Sequence, residues 1–201
     1  MRVGILAVQG DFAAHARVLQ RLGVQARLVR QANDLDGLEA IILPGGESTA
    51  MLKLLAPGGL MERLRAFVSE RPVLATCAGA ILLARRVLGP EQPSLGVLNM
   101  TAVRNAYGRQ IDSSIRLARV RPEFAAELGA ELETVLIRAP RFQDLGAGVE
   151  IVAEADTENG CEPLLLRQGQ ILAASFHPEL GQEDKVHRWF LAQAQTALQS
   201  R

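Results

Sequence analysis

Apolar residues fall along this chain in short blocks separated by stretches of helical periodicity. Residues 3–8, 40–43 and 73–76 are apolar runs, and residues 24–29 alternate, each bounded by glycine, proline or charged positions. Blocks this short read as strands, and the unbroken ones as strands covered on both faces, as in a parallel sheet. Between the first two lies the segment 12–22, where Phe12, Ala16, Leu19 and Leu22 recur at helical spacing and predict one inward side. Further helices are expected over 50–55 and over the apolar stretch 80–87. The strand–helix–strand rhythm predicts an α/β fold with a mostly parallel central sheet and helices on both faces.

After Leu98 the pattern changes. Residues 100–115 and 135–175 read as strands with turns at Asn105-Ala-Tyr-Gly108, Gly146-Ala-Gly148 and Gln168-Gly169, which predicts an antiparallel extension of the sheet. Residues 185–198 return to helical periodicity, with Val186, Phe190 and Ala194 inward.

Length and composition narrow this further. A chain of 201 residues, 48% hydrophobic and free of repeats or linkers, fits a single domain over 1–201 with a substantial core. Its 22 basic residues balance 22 acidic ones, so no overall positive field draws it to nucleic acid or a membrane surface. The apolar start is too short to span a bilayer and runs into Gln9-Gly10-Asp11, as a first strand would. Two cysteines without a secretory segment predict reduced thiols and a cytoplasmic location. Cys161, beside Asn159-Gly160, reads as an unreactive loop thiol.

Cys77 is different. In Pro72-Val-Leu-Ala-Thr-Cys-Ala-Gly79 a buried strand runs into small residues and then an apolar helix, the pattern of a nucleophile elbow. Such a turn lifts the side chain out of the sheet and aims helix N-terminal amides at it. A cysteine nucleophile needs a base and a group to orient that base. Ile171-Leu-Ala-Ala-Ser-Phe-His-Pro-Glu179 supplies both, because a strand delivers His177 and Glu179 at its end and alternation sets positions two apart on one side. Pro178 holds the residue before it extended; read alone, the tripeptide is also a plausible surface turn.

A third element is Ile41-Ile-Leu-Pro-Gly-Gly-Glu-Ser-Thr49. Adjacent glycines allow backbone amides to approach a ligand, so Gly45, Gly46 and, from the elbow, Ala78 are candidates for an oxyanion hole. The plainer reading is a turn in which Ser48 or Thr49 caps the helix that follows. Neither a phosphate-binding loop nor a dinucleotide fingerprint is present, and His15, His177, His187 and the two cysteines lack zinc-like spacing. No metal or cofactor is implied.

With these motifs in this order, the sequence resembles the class I, triad-type glutamine amidotransferases. Leu6-Ala-Val-Gln-Gly10, Arg104-Asn-Ala-Tyr-Gly-Arg-Gln110 and Ile137-Arg-Ala-Pro140 narrow the resemblance to the glutaminase subunits of pyridoxal 5'-phosphate synthases, over essentially the full length. The resemblance implies a flavodoxin-like three-layer sandwich and hydrolysis of L-glutamine by Cys77, His177 and Glu179. It places glutamine-binding positions on Gly46, Glu47, Ser48, Arg104, Ile137 and Arg138. Chemically, a guanidinium such as that of Arg104 suits an α-carboxylate, and Glu47 suits an α-ammonium. In isolation, Arg104 and Arg138 would read as surface ion-pair partners. The resemblance also implies a partner, the synthase subunit, assembled as a large ring decorated by glutaminase subunits. Gln9-Gly10 is expected near the Gly45-Gly46 loop, where it could respond to docking of that subunit.

Other functions compatible with an elbow cysteine are a glutaminase subunit serving another acceptor such as histidine synthesis, a flavodoxin-like cysteine peptidase or stress protein, and a silent binding module.

Overall fold

The computed structural model describes residues 1–104, 114–157 and 160–199. The first half alternates strand and helix: β1 (Val3–Leu6), α1 (Phe12–Arg21), β2 (Ala26–Val29), β3 (Ala40–Leu43), α2 (Ser48–Leu55), α3 (Leu60–Glu70), β4 (Val73–Thr76) and α4 (Ala78–Leu83). Strands dominate the rest: β5 (Ala84–Leu88), β6 (Leu98–Val103), β7 (Ser114–Val120), the short α5 (Ala125–Leu128), β8 (Glu131–Leu136), β9 (Arg141–Gln143), β10 (Glu150–Thr157), β11 (Gly160–Gln168) and β12 (Ile171–Ala174). The C-terminal helix is α6 (Lys185–Gln199).

Among the described residues, nine strands form one sheet in the order β2-β1-β3-β4-β12-β11-β10-β7-β8. From β2 to β12 every pairing is parallel, and from β12 outward every pairing is antiparallel. The predicted parallel sheet with its antiparallel extension is therefore present, hinged at β12. A separate sheet, β5-β6-β9, lies beside it.

The strands β1, β3, β4 and β12 are buried at every position, as their unbroken apolar runs require. They have that burial because two apolar clusters cover the two faces. One joins Leu43 and Ala75 to Met51 and Leu55 of α2, Leu64 of α3 and Leu82 of α4. The other joins Ile42 and Leu74 to Leu19 of α1 and Phe190 of α6. Removing a fully buried ring such as Phe190 would cost about 3–5 kcal/mol by transfer and cavity terms together. The predicted inward side of α6 holds: Val186, Phe190 and Ala194 are all buried.

Several expectations are corrected. The helix predicted over 80–87 ends at Leu83, and Ala84–Leu88 is the strand β5, because its backbone pairs with β6 while Ala84 and Val87 turn into the first apolar cluster. Of the inward side expected for α1, Leu19 is in the core and Phe12 and Ala16 pack against it half-buried, but the most buried residues also include Ala14, His15 and Val18, so the helix presents a histidine to the core. Cys161 lies on β11, not in a loop. The long helix α3 carries Leu60, Leu64 and Val68 at helical spacing into the first cluster. The turn expected at Asn105-Ala-Tyr-Gly108, and the rest of that segment through Gln110, lie outside the described residues.

No described helix is long and apolar enough to cross a membrane.

Candidate active site

Register places the site. Leu43 of β3 pairs with Ala75 of β4, and Thr76 pairs with Ala174 of β12, so the carboxyl ends of neighbouring parallel strands finish side by side. The loops leaving those ends carry Gln9–Asp11, Pro44–Glu47, Cys77 and the His177–Glu179 turn; parallel sheets gather binding groups at this edge.

Cys77 is the elbow. Its backbone sits at φ 47°, ψ −106°, a left-handed conformation that a non-glycine residue adopts at a cost of roughly 1–3 kcal/mol. Its amide donates to the Ala174 carbonyl at 2.8 Å, and its own carbonyl accepts from Ile81 at 3.1 Å, so strand and helix both grip the strained residue. Gly79 allows the close packing: a Cβ there would strike the Leu43 carbonyl of β3. The sulfur lies 3.9 Å from the Ile137 carbonyl and is nearly buried.

His177 follows β12 in a turn, not on an alternating strand as expected. Its amide donates to the Val135 carbonyl at 2.9 Å and its carbonyl accepts from Leu180 at 3.2 Å. This turn achieves the predicted pairing, with Nδ1 of the ring 2.7 Å from Glu179 Oε1. The Glu179 side chain is fully buried. Burial opposes charge on the His177 ring, yet hydrogen bonds to the Cys77 and Glu179 side chains outweigh it and raise the pKa to about 10. The ring is packed against Gly45, where a Cβ would overlap ring carbon Cε1.

The glycine loop is tied to the first strand's loop, as expected from Gln9-Gly10. Asp11 donates its amide to the Gly45 carbonyl at 3.0 Å, and Glu47 donates its amide to Gln9 Oε1 at 2.8 Å. Gly10, at φ 97°, has no room for a Cβ because the Gly45 carbonyl occupies that space. The cap of α2 is Glu47, not Ser48 or Thr49: its carboxylate accepts from the amides of Thr49 and Ala50 at 3.0 and 2.7 Å. Slight burial raises the Glu47 pKa, but these amides, with Arg104 nearby, hold it below the ordinary value.

Arg104 reaches the same place from the end of β6. Its guanidinium donates to Gln92 Oε1 at 2.6 Å, Thr49 Oγ1 at 3.1 Å and Glu47 Oε1 at 3.3 Å. Ser48 also donates to Gln92 Oε1, at 3.1 Å. Gln92 had no sequence signal, since it sits in an irregular loop distant from every motif.

Between these elements opens a pocket of about 290 Å3, near the lower end of ligand pockets at roughly 300–1,000 Å3. Cys77, His177, Gly46, Glu47, Ser48 and Arg104 all line it. Ile137 and Arg138 line it as well, and Arg138 is itself at φ 46°. Gly45 and Ala78, expected with Gly46 at an oxyanion hole, are not among the residues that line this pocket, although each adjoins one that does in sequence. Asp11 joins the lining unpredicted; its carboxylate is 3.8 Å from His177 Nδ1. Asp11, His177 and Glu179 offer ligand atoms within 4.8 Å of one another, a spacing that suits a metal, although Nδ1 is already bound to Glu179. Cys161 is exposed elsewhere, and partial burial together with Glu154 and Asp156 pushes its thiol pKa up despite Arg119.

A family model described as the SNO glutamine amidotransferase family matches residues 5–196. The chain belongs to this family. Two family relatives bear the name "Pyridoxal 5'-phosphate synthase subunit PdxT". One, from Koribacter versatilis, is 47% identical, over 95% of this chain and 94% of its own. Another, from Thermus thermophilus, is 48% identical, over 94% of this chain and 95% of its own. Among solved structures, one titled as a glutamine amidotransferase superposes with a TM-score of 0.85 at 45% identity, covering 96% of this chain and 98% of its own.

Behind the triad the same sheet edge holds a buried histidine pair that the motifs did not reveal. His15 Nδ1 lies 2.9 Å from His187 Nε2. Burial, then the nearby His187 and His177, push the His15 pKa well below 6.5. Burial lowers that of His187 to about 4, with Arg21 adding to the effect and Asp184 opposing it. Both rings stay neutral in the folded chain where the unfolded chain takes up protons, so stability falls as pH drops from 6.5 toward 4. The slope is about 1.4 kcal/mol per pH unit for each histidine. His177, raised instead, is protonated in both states there and adds no slope; its contribution is lost as pH rises through about 10. Thermal melts from pH 7 to 4.5 should show a shallower decline for His187→Phe than for wild type. Parallel declines would contradict the assignment of a neutral buried pair.

Proposed function

We propose that this chain is the glutaminase subunit of a pyridoxal 5'-phosphate synthase, hydrolysing L-glutamine to L-glutamate and ammonia and passing the ammonia to a synthase subunit. The observation that carries the reading is the convergence of Cys77 and of His177, itself hydrogen-bonded to Glu179, on one pocket that Gly46, Glu47, Ser48 and Arg104 also line. The full-length relatives named as synthase subunits supply the acceptor.

In this reading the Cys77 sulfur attacks the side-chain amide carbon, and the developing oxyanion meets backbone amides among Gly45, Gly46 and Ala78. The proton held on His177 goes to the departing nitrogen, so ammonia leaves as the C–N bond breaks and a thioester remains. Water then gives its proton to His177, its oxygen attacks the thioester carbon, and glutamate departs as the sulfur regains its charge. Glu179 holds Nδ1–H throughout, which keeps Nε2 facing the reaction. Arg104 positions the substrate carboxylate, and Glu47 receives the ammonium, each released in part from its contact with the other.

We place the enzyme in the cytoplasm, on a large ring of synthase subunits. Free ammonia is protonated and lost at neutral pH, which favours a coupled acceptor. The two contacts linking Gln9–Asp11 to Gly45 and Glu47 give a docked subunit a handle on the oxyanion loop. Ammonia release from glutamine should therefore be low for the isolated chain and rise at least about tenfold when synthase is added. No release in either condition would refute the glutaminase reading, and equal release in both would refute the gating.

A further inference from the structure

Glu179 has two carboxylate oxygens, and the His177 ring occupies one. The other, Oε2, is buried without a hydrogen-bond partner, and such an oxygen is costly when charged. The nearest ring nitrogen is His15 Nε2, 3.4 Å away in a contact that falls short of a hydrogen bond; the hydrogen bond of that nitrogen is with Thr76 Oγ1 at 3.2 Å. His15 and His187 are both fully buried, at 0% exposure, and their rings are 5.2 Å apart.

The arrangement selects one tautomer. A neutral imidazole has one N–H and one lone pair. If His15 carried its proton on Nδ1, its Nε2 lone pair would accept from the Thr76 hydroxyl but also face the Glu179 carboxylate, and His187 would be left with an unpaired buried N–H at Nδ1. If His187 instead donates Nε2–H to His15 Nδ1, then His15 carries Nε2–H, which donates to Thr76 Oγ1 and presents its positive end to Glu179 Oε2. The group left without a partner at His187 Nδ1 is then a lone pair and not an N–H. An unmade acceptor costs less here than lone pairs opposed across a buried carboxylate.

We propose that His15 is a positioning residue for the Cys77–His177–Glu179 triad, its Nε2–H facing the second oxygen of Glu179 at 3.4 Å while His187 sets its tautomer. This extends the proton path's support by two residues, from α1 and α6, neither of which touches the pocket. It rests on the triad reading given above. The charged and titratable groups facing the pair are His177 and Glu179 after β12 and the Arg21–Asp184 ion pair at 2.7 Å beside His187.

The chain has three histidines, so long-range proton–nitrogen NMR can resolve each ring. Wild type at pH 7 should show His15 and His187 neutral with the proton on Nε2. A proton on His15 Nδ1, or a charged His15 ring, would overturn the proposal. With synthase and glutamine, His15→Leu should lower kcat by on the order of 10-fold to 100-fold with little change in KM, as expected for one lost N–H contact to a charged group. Its acid limb should move to higher pH, because a carboxylate that loses a donor takes up a proton more readily. His15→Gln, whose amide can replace Nε2–H, should recover most of the loss. Wild-type kcat and acid limb in His15→Leu would overturn the proposal. Should that variant fail to fold, His187→Phe decides by the same two readouts, and wild-type behaviour there is equally fatal. Absent turnover by wild type with synthase would instead reject the glutaminase reading, leaving the NMR result to judge the tautomer.

Discussion

Cys77→Ala should abolish ammonia release from glutamine, with a loss on the order of 10^4-fold or more, since removing the nucleophile of a triad removes nearly the whole contribution of the unit. The fold should survive. Alanine is smaller than cysteine and no more strained at φ 47°, and the grip on this residue comes from its backbone bonds to Ala174 and Ile81. A glutamine-analogue electrophile should label wild type at Cys77 and leave Cys77→Ala unlabelled. Cys161→Ala should label like wild type, because that thiol is exposed on β11 with its pKa pushed up. Turnover by Cys77→Ala, or labelling at Cys161, would remove Cys77 from the mechanism.

Gly45→Ala should cost on the order of 10^2-fold in kcat or more, while lowering stability by about 1–3 kcal/mol. The new methyl group would lie far inside van der Waals contact with His177 Cε1 and 2.9 Å from Nδ1. Neither side can easily yield. The Gly45 carbonyl is held by the Asp11 amide at 3.0 Å and crowded by Gly10, and the ring is held by Glu179 at 2.7 Å. Either the ring leaves its carboxylate or the glycine loop moves, and each displaces a group that must be aligned within a fraction of an ångström. Ammonia release with synthase present and a thermal melt test this together. Wild-type turnover with an unchanged melt would mean that the ring does not need this position.

The parallel half of the sheet was legible because strands such as β3 and β4 are buried on both faces and cannot disguise their apolar runs. Cys77, His177 and Glu179 were legible because the chemistry demands particular residue types at the ends of such strands. What misled was local. Ala84–Leu88 continues an apolar helical-looking run, yet pairing with β6 gives its backbone better partners than another helical turn. Ser48 and Thr49 are good caps in general, but Glu47 reaches back to both free amides and gains Arg104 as well. His15 was hidden by a helix side drawn one position away from the true one.

By itself the sequence determined the alternation of strands and helices through β4, apart from α3, together with the elbow at Cys77 and the pairing of His177 with Glu179, because each depends on residues close along the chain. Only the tertiary structure decided what lies opposite them. Gln92 beneath Arg104, Asp11 beside His177, and the His15–His187 pair behind Glu179 come from separate elements. Contacts such as His15 to His187, set 172 positions apart, depend on how α1 and α6 pack over the same sheet face, and no local pattern encodes that.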